Sequence, residues 1–342
     1  MKTVRLGKTG LEVSRVGIGG IPIIRPPEAE AIRVVQRALD LGITFLDTAL
    51  GYRDSEVRIG KAIAGRHGVV IATKGGGQDR TTAATHIEQS LQRLGVETID
   101  LWQFHNISSF EKYERVVEVG GGLEGALEAL DTGKIRHIGL SSHSLDVALE
   151  AVRSGLFETI QFPFNYVSNE AVDELLPLAE ERDVGFIGMK PFAGGQLGDA
   201  SLSIKYVLQF PWVVPDPGIQ KIEEIEEIVG IVDGGDWELT AQERQEIEAR
   251  RAALGTRFCR QCEYCIPCPQ GVSIPMIMIA RGMWKLWPHD LFRDPEWWFS
   301  KAVMSGKNCV ECGACEAKCP YDLPIRELIV ENVAFFEGVA AR

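Results

Sequence analysis

Four polar residues whose side chains can transfer protons are spaced regularly in the first third of the chain. Asp47, Lys74 and His105 stand at the ends of predicted strands, and Tyr52 follows Asp47 by five residues. Lys74 comes 27 residues after Asp47, and His105 comes 31 residues after Lys74, so each step is about one strand–helix repeat. Because parallel strands bring their carboxyl ends to the same edge of a barrel or sheet, we expect the four side chains to converge.

Such a set suits the addition of hydride to a carbonyl group, because the alkoxide that forms must receive a proton. Tyrosine has an ordinary pKa of about 10 and is a weak acid at neutral pH. We expect the ammonium of Lys74 to lower the pKa of Tyr52, and Asp47 to hold Lys74 in place. His105 is expected to orient the carbonyl oxygen or to share the proton. Each residue alone has a structural interpretation, and their common spacing favours the catalytic one.

The cysteines form two compact motifs, and the first 258 residues contain none. The first motif is Cys259-x2-Cys262-x2-Cys265-x2-Cys268, and the second is Cys309-x2-Cys312-x2-Cys315-x3-Cys319. A proline follows each motif, and the second has the spacing of bacterial ferredoxins. Clustered thiols in a chain without features of a secreted protein indicate metal rather than disulfides.

We predict two [4Fe–4S] clusters from these motifs. In two-cluster ferredoxins the fourth cysteine of a motif binds the other cluster. The predicted ligand sets are therefore Cys259, Cys262 and Cys265 with Cys319, and Cys309, Cys312 and Cys315 with Cys268. One cluster with spare thiols is an alternative, and so is zinc, although zinc sites generally use two separated Cys-x2-Cys pairs.

Eight predicted strands alternate with helical patterns after a short hairpin at Thr3–Val16. They are Val16–Gly20, Ile43–Ala49, Val69–Lys74, Ile99–His105, Ile135–Ser141, Thr159–Asn165, Gly185–Lys190 and Val213–Gly218. Their continuous apolar runs are typical of a parallel sheet that is buried on both faces. Eight such units in about 250 residues favour an α/β fold of the (β/α)8 TIM-barrel type. A doubly wound open sheet is the alternative, but no GxGxxG motif follows the first strand.

The composition changes sharply after Gly255, where cysteines appear together with four of the seven tryptophans, Trp284, Trp287, Trp297 and Trp298. A helix at about 240–254 is expected to close the barrel. We therefore predict a barrel domain at residues 1–254 and a small, mainly helical, ferredoxin-like iron–sulfur domain at residues 255–342. Its predicted helices are 275–287, 295–305 and 325–336, and its tryptophans are expected to shield the clusters from water.

The barrel resembles the aldo-keto reductase family over about residues 1–253. The resemblance is carried by Asp47-Thr48-Ala49-Leu50-Gly51-Tyr52, by Ile71-Ala72-Thr73-Lys74 and by Ile99-Asp100-Leu101-Trp102-Gln103-Phe104-His105. It also includes the opening Leu6-Gly7-Lys8-Thr9-Gly10 and the segment Gly133-Lys134-Ile135-Arg136. It implies that Asp47, Tyr52, Lys74 and His105 are the catalytic tetrad, with Tyr52 as the general acid.

The same resemblance implies a nicotinamide cofactor, NADP or NAD, bound without a Rossmann fold. Ser141 and Gln161 match the positions that bind the carboxamide, and Ser142 stands where the family usually has Asn. Met189 stands where an aromatic ring often stacks on the nicotinamide, and a thioether can make a similar contact.

The adenine side of the predicted cofactor site falls in the segment 214–221, which contains Gly218 and Lys221. NADP-preferring members gather Lys and Arg in this region. Here four glutamates follow Lys221, namely Glu223, Glu224, Glu226 and Glu227, and a solvated helix face is their structural interpretation. A 2′-phosphate would therefore meet little positive charge, and NADP preference does not follow from the resemblance.

The bulk composition restricts the remaining function classes. The 342 residues carry a net charge of −12, which argues against a general nucleic-acid-binding surface. No apolar run reaches the roughly 18 residues of a membrane span, and the first ten residues lack the apolar run of a signal peptide. We expect a cytoplasmic protein that acts on a small carbonyl or alcohol substrate, with a redox partner protein for the clusters.

The function predicted from the sequence is an NAD(P)-dependent oxidoreductase that interconverts a carbonyl and an alcohol, with clusters for electron transfer or for structure. The substrate pocket is expected to be lined by the loop 106–122 and by residues 192–197. The alternative is an electron-transfer or redox-sensing iron–sulfur protein whose barrel only binds nucleotide. The intact tetrad argues against this alternative.

Overall fold

The computed structural model describes residues 1–341, which form two compact units. The first unit is Met1–Thr240, and the second begins at Ala241. The helix that was expected to close the barrel spans Ala241–Leu254 and belongs to the second unit, so the division lies before this helix rather than after it. This helix is mostly polar and Ile247 is its buried residue, so it contributes little apolar surface to any core.

The first unit is a barrel of eight parallel strands, as predicted. Following the hairpin strands β1 (Thr3–Arg5) and β2 (Glu12–Ser14), the barrel strands are β3 (Ile18–Gly19), β4 (Phe45–Asp47), β5 (Val70–Gly75), β6 (Ile99–Phe104), β7 (Ile135–Ser141), β8 (Thr159–Pro163), β9 (Gly185–Met189) and β10 (Val213–Asp216). Each strand pairs with the next in chain order. The N–H groups of Gly17 and Gly19 donate to the carbonyls of Pro215 and Pro217, both at 2.9 Å, which joins the first strand to the last.

Nine helices of the first unit follow or separate the strands. They are α1 (Glu28–Asp40), α2 (Ser55–Ile63), α3 (Arg80–Leu94), α4 (Phe110–Val117), α5 (Gly122–Asp131), α6 (Leu145–Ser154), α7 (Leu175–Glu181), α8 (Ala200–Leu208) and α9 (Ile222–Gly234). Short polar side chains start several of them: Asp79, Ser109, Ser144 and Asp199 each accept a backbone N–H of the first turn. These caps satisfy N–H groups that have no partner within the helix.

An apolar layer fills the end of the barrel at which the strands begin. Leu6 and Val13 of the hairpin pack there against five buried side chains of the strands, namely Phe45, Ala72, Leu101, Ile187 and Val214. The hairpin thus closes this end and leaves the carboxyl ends of the strands for polar side chains.

The second unit is mainly helical, as predicted, and has a hydrophobic core of its own. After α10 (Ala241–Leu254) come α11 (Ile274–Met278), α12 (Ala280–Leu286), α13 (Trp298–Met304), α14 (Ala314–Ala317) and α15 (Ile325–Ala340). The helix predicted at 275–287 is divided at Ile279, and the last helix continues four residues beyond Phe336. Within residues 1–341, no helix has the length and apolar character needed to cross a membrane.

Gly139 shows how tightly the barrel interior is packed. A methyl group at this position of β7 would collide with Oγ1 of Thr159 and approach Cγ of Gln103 to 3.1 Å. We expect Gly139→Ala to destabilise the protein by about 1–3 kcal/mol, as overpacked cores generally are. The matched control is Gly230→Ala in α9, where nothing lies within 4 Å and alanine favours the helix. Calorimetric unfolding checks both, and equal transition temperatures for the two variants would contradict the prediction.

Candidate functional site

A polar layer lies directly above the apolar layer of the barrel. Side chains two residues apart on a strand face the same side, so each strand can add a polar residue to the interior two positions after an apolar one. Four strands do so, with Asp47 after Phe45, Lys74 after Ala72, Gln103 after Leu101 and Asp216 after Val214. All four polar side chains are buried. The alternation therefore sets the depth of the candidate site.

The centre of this layer is an ion pair between Lys74 and Asp47. Nζ of Lys74 donates to Oδ2 of Asp47 and, at 2.8 Å, to the carbonyl of Thr48. The side chain of Lys74 is 2% exposed and that of Asp47 is 3% exposed. Two amides donate further hydrogen bonds to the carboxylate of Asp47. Nε2 of Gln103 donates to Oδ1 at 3.2 Å, and Nε2 of Gln161 donates to Oδ2 at 3.1 Å. The pair is thus fixed from four strands.

Tyr52 and His105 lie beside the ion pair. The Tyr52 hydroxyl is 3.4 Å from Nε2 of His105, and the two rings meet edge to face with centroids 5.5 Å apart. Nζ of Lys74 is 5.6 Å from the centre of the Tyr52 ring. The four residues that the strand spacing predicted to converge are therefore in one place, with Tyr52 on the loop between β4 and α2.

The structure does not support the expected lowering of the Tyr52 pKa by Lys74. Burial raises the pKa of Tyr52 well above its ordinary value of 10, and the negative charges of Asp47 and Asp216 raise it further. The ammonium of Lys74 is paired with Asp47, so its positive charge is largely compensated before it reaches the phenol. Tyr52 accordingly keeps its proton at neutral pH.

His105 is a neutral imidazole. Burial lowers the pKa of His105 from its ordinary value of 6.5 to about 3, and the nearby charges of Lys74 and Lys190 act in the same direction. A neutral ring can donate one hydrogen bond and accept another. It can therefore hold a carbonyl oxygen close to Tyr52 without competing with the phenol as an acid.

Asp216 is a site residue that the sequence reasoning missed. It ends β10, and its Oδ2 accepts from Nε2 of Gln161 at 3.2 Å. Burial raises the pKa of Asp216 well above its ordinary value, and the charge of Asp47 adds to this effect. The carboxyl group of Asp216 therefore holds a proton more readily than an ordinary aspartate does. The strand-end position that singled out Asp47 could also have identified Asp216.

Ser141 and Gln161, the predicted carboxamide ligands, stand opposite each other on β7 and β8. Oγ of Ser141 accepts the N–H of Asn106 at 2.9 Å, and the Gln161 amide donates to Asp47 and Asp216. Hydroxyl and amide groups side by side can pair with a carboxamide, which has both donors and an acceptor. The hydroxyl of Ser142 is instead bonded to the backbone of Ser144, at the start of α6.

The remaining predicted cofactor residues lie at the last two strands and share no hydrogen bond with Ser141 or Gln161 in the described chain. Met189 ends β9 and is buried, and Gly218 forms a parallel bridge with Gly19. Lys221 immediately precedes α9. The carboxylate of Glu224 accepts the N–H groups of Gln220 and Lys221 at 2.8 and 3.2 Å, so part of the acidic run caps this helix.

The cysteines of the second unit surround two clefts that follow the predicted ligand sets. One cleft is lined by Cys259, Cys262, Cys265 and Cys319. The other is lined by Cys268, Cys309, Cys312 and Cys315, and Cys265 also borders it. The fold thus brings the last cysteine of each motif to the first three of the other. All eight cysteines are free of disulfide bonds.

The motif backbones are shaped to surround a bound group. Gln261, Glu263 and Glu311, which lie between cysteines, have φ angles of 61°, 66° and 53°, which curls the loops. The N–H of Gln261 donates to Sγ of Cys259 at 3.4 Å, a contact that tunes cluster sulfurs. Within residues 1–341 no three Cys, His, Asp or Glu side chains converge as one metal ion requires. Four closely spaced cysteines followed by a proline are typical of a [4Fe–4S] motif, whereas zinc sites generally use two separated Cys-x2-Cys pairs.

The tryptophans that were expected to shield the clusters differ in burial. Trp284, Trp287 and Trp297 are half-buried against the core that also packs the cysteines. Trp284 additionally stacks on His289, with ring centres 3.6 Å apart. Trp298 was expected to shield as well, but it is 54% exposed, because α13 turns its buried face inward through Phe299 and Val303.

Comparison with known protein families gives two matches. Residues 15–207 match the model of the aldo/keto reductase family, and residues 258–324 match that of the 4Fe-4S dicluster domain. The first match contains the four residues at the barrel mouth, and the second contains both cysteine motifs.

Individual relatives agree with the barrel assignment. An uncharacterized oxidoreductase of Schizosaccharomyces pombe is 29% identical over 265 residues, which is 66% of this chain and 83% of that protein. The aldo-keto reductase YhdN of Bacillus subtilis is 33% identical over 54% of this chain, but the match covers only 60% of YhdN. The solved aldo-keto reductase AKR11C1 of Bacillus halodurans, in its holo form, superposes with a TM-score of 0.64 at 26% identity, over 73% of this chain and 96% of that one.

The neutral state of His105 can be observed directly. Because burial and two lysine charges lower its pKa to about 3, the imidazole should stay neutral between pH 8 and pH 5. In spectra of the protein with ¹³C-labelled histidine, the signal that disappears in His105→Asn should not shift over this range. A midpoint near pH 6.5 for that signal would contradict the buried, lysine-flanked environment.

Proposed function

Because the chain belongs to the aldo/keto reductase family of NAD(P)-dependent oxidoreductases, we propose that it reduces a small carbonyl compound to its alcohol, with Tyr52 as the proton donor. The observation that carries this proposal is the placement of Tyr52 and His105, hydroxyl to Nε2 at 3.4 Å, over the buried Lys74–Asp47 pair. A bound reduced nicotinamide would supply the hydride. The residues of the chain then have to hold the carbonyl and deliver one proton.

Tyr52 is suited to the reductive direction. Its raised pKa means that the phenol carries its proton when the carbonyl compound binds. As negative charge develops on the carbonyl oxygen, the neutral imidazole of His105 can donate a hydrogen bond while Tyr52 transfers its proton. Lys74, 5.6 Å from the ring, would be a nearby positive charge for the tyrosinate left behind, although its pairing with Asp47 leaves burial as the dominant influence on the phenol. Asp47 keeps Lys74 in position for this role.

The opposed serine and glutamine at the barrel mouth are the groups that would hold the nicotinamide. We propose that Ser141 and Gln161 bind its carboxamide and that Met189 packs against its ring. The backbone near Gly218 and the side chain of Lys221 would face the adenine end. The carboxylate of Glu224 already accepts the N–H groups of Gln220 and Lys221 at the start of α9, and its negative charge disfavours a 2′-phosphate there.

For the second unit we propose two [4Fe–4S] clusters with ligands exchanged between the motifs. A cluster accepts one electron, whereas hydride carries two, so the clusters take no direct part in the hydride step. They would exchange electrons with a redox partner protein or stabilise the unit that holds them. Thiolate-bound clusters fit a reducing compartment, so we also propose a cytoplasmic location.

The catalytic role of Tyr52 is tested by Tyr52→Phe. Loss of a positioned proton donor should lower the rate constant for aldehyde reduction by about 10²–10⁴, with cofactor binding unchanged. Tyr113→Phe, which removes the hydroxyl of a buried tyrosine on α4, is the matched control and should retain activity. Reduced cofactor that bleaches the clusters without consuming aldehyde, and equally in Tyr52→Phe, would instead favour an electron-transfer protein.

The ligand exchange predicts the iron content of two double variants. If Cys259 and Cys319 bind the same cluster, Cys259→Ala/Cys319→Ala should lose one cluster and keep about four iron atoms per chain. Cys259→Ala/Cys268→Ala should damage both clusters and keep almost none. Iron analysis and electron paramagnetic resonance after anaerobic purification measure this difference. The reverse result would mean that each motif binds its own cluster.

A further inference from the structure

A second polar cluster lies at the strand ends, formed by Asn106 after β6, His143 after β7 and Lys190 after β9. Nζ of Lys190 is 2.8 Å from Nε2 of His143, and Nδ1 of His143 is 3.0 Å from Oδ1 of Asn106. An ammonium can only donate, so Nε2 of His143 accepts and Nδ1 carries the proton that is donated to Asn106. His143 is therefore neutral, and its hydrogen bond positions the ammonium of Lys190.

The backbone of this cluster is held in an uncommon conformation. Asn106 and Lys190 have φ angles of 56° and 58°, in the left-handed region that residues other than glycine adopt infrequently. Tertiary hydrogen bonds fix both residues. The N–H of Asn106 donates to Oγ of Ser141 at 2.9 Å, and Nδ2 of Asn165 donates to the carbonyl of Lys190 at 3.0 Å. Conformations of this kind persist where surrounding structure imposes them, which is frequent at binding sites.

The electrostatic environment of the cluster is positive and adjoins the catalytic residues. The charge of Lys190 lowers the pKa of His143 and also that of His105. Lys112 of α4 adds to the effect on His143. Asn106, which accepts from His143, directly follows His105 in the chain, so the cluster borders the ring that we propose faces the carbonyl oxygen. Two lysines and a neutral histidine beside a carbonyl site form a setting that attracts an anion.

We propose that Lys190, positioned by His143, binds a negatively charged group of the substrate, so that the substrate class is an oxo acid, an aldehyde or ketone that also carries a carboxylate. This inference rests on the proposed reductase function. The diphosphate of the cofactor is a second source of the same anionic chemistry. The hydrogen-bonded link from Lys190 through His143 to Asn106, which directly follows His105, favours the substrate, because His105 stands with Tyr52 at the proposed point of proton transfer.

The test compares two aldehydes of equal chain length, 4-oxobutanoate and butanal, in wild type and in Lys190→Met. Wild type should prefer 4-oxobutanoate in kcat/KM by about tenfold to a hundredfold, the range expected for a hydrogen bond to a charged group. Lys190→Met should lose this preference through a lower kcat/KM for 4-oxobutanoate, and Lys190→Arg should retain most of the preference. The matched control is Lys61→Met, which removes an exposed lysine paired with Glu28 at 2.7 Å and should keep the preference.

Binding measurements separate the two sources of the anion and do not depend on turnover. By calorimetry, Lys190→Met should bind the oxidised cofactor as wild type does, yet bind 4-oxobutanoate to the cofactor complex at least tenfold more weakly. Weaker cofactor binding with an unchanged affinity for 4-oxobutanoate would overturn the proposal in favour of the diphosphate.

The kinetic outcomes also separate this proposal from the proposed function. Wild type that reduces both aldehydes without preference would overturn the oxo-acid inference and leave the reductase function intact. If wild type reduces neither aldehyde, the reductase function fails, and the calorimetric comparison alone decides whether Lys190 is an anion site. His143→Asn, which removes the contact that aims Lys190, should reduce the preference for 4-oxobutanoate less than Lys190→Met does.

Discussion

The barrel interior is organised by the buried ion pair of Lys74 and Asp47. Removing two charges from water costs several kcal/mol per ion, and their attraction offsets this only when the remaining hydrogen-bonding capacity is also satisfied. Here the carboxylate receives the amides of Gln103 and Gln161, and the ammonium also donates to the carbonyl of Thr48. These partners come from different strands, so the pair is compatible with one register of the barrel. A one-residue slip would turn these side chains away from it.

The compensation of Lys74 by Asp47 has a consequence for Tyr52. An unpaired ammonium near a phenol would lower the pKa of the phenol. Because Lys74 is paired with Asp47, burial and the carboxyl groups of Asp47 and Asp216 determine the pKa of Tyr52 and raise it. The phenol therefore keeps its proton, and His105 is held neutral by burial and by lysine charge. Both groups that we propose as partners of the carbonyl oxygen are then neutral donors. Such a site stabilises a developing negative charge without presenting a fixed counter-charge to the substrate, which suits reduction.

The extent of agreement between sequence and structure follows from periodicity. Strand–helix repeats placed Asp47, Lys74 and His105 on neighbouring strands, because this information lies in the spacing of residues along the chain. The environment of Tyr52 could not be read in this way, since it depends on Asp216, which is 164 residues away in the sequence. The barrel unit also ends at Thr240 rather than at the predicted residue 254. The helix Ala241–Leu254 has a regular helical pattern in the sequence, but it buries little apolar surface. Spacing predicts positions, whereas burial and charge require the folded neighbours.

The two units hold charge in opposite ways. In the barrel, the positive charge of Lys74 is balanced by the negative charge of Asp47. Its polar interior is therefore nearly neutral without any bound group. The second unit gathers thiols, and burial together with the neighbouring Cys259 and Cys262 raises the pKa of Cys265 to about 12. Thiolates in that setting need the positive charge of iron, so cluster binding and ordering of the motif loops should be coupled. Loss of iron should therefore disturb the cysteine loops while the ion pair of the barrel keeps its geometry.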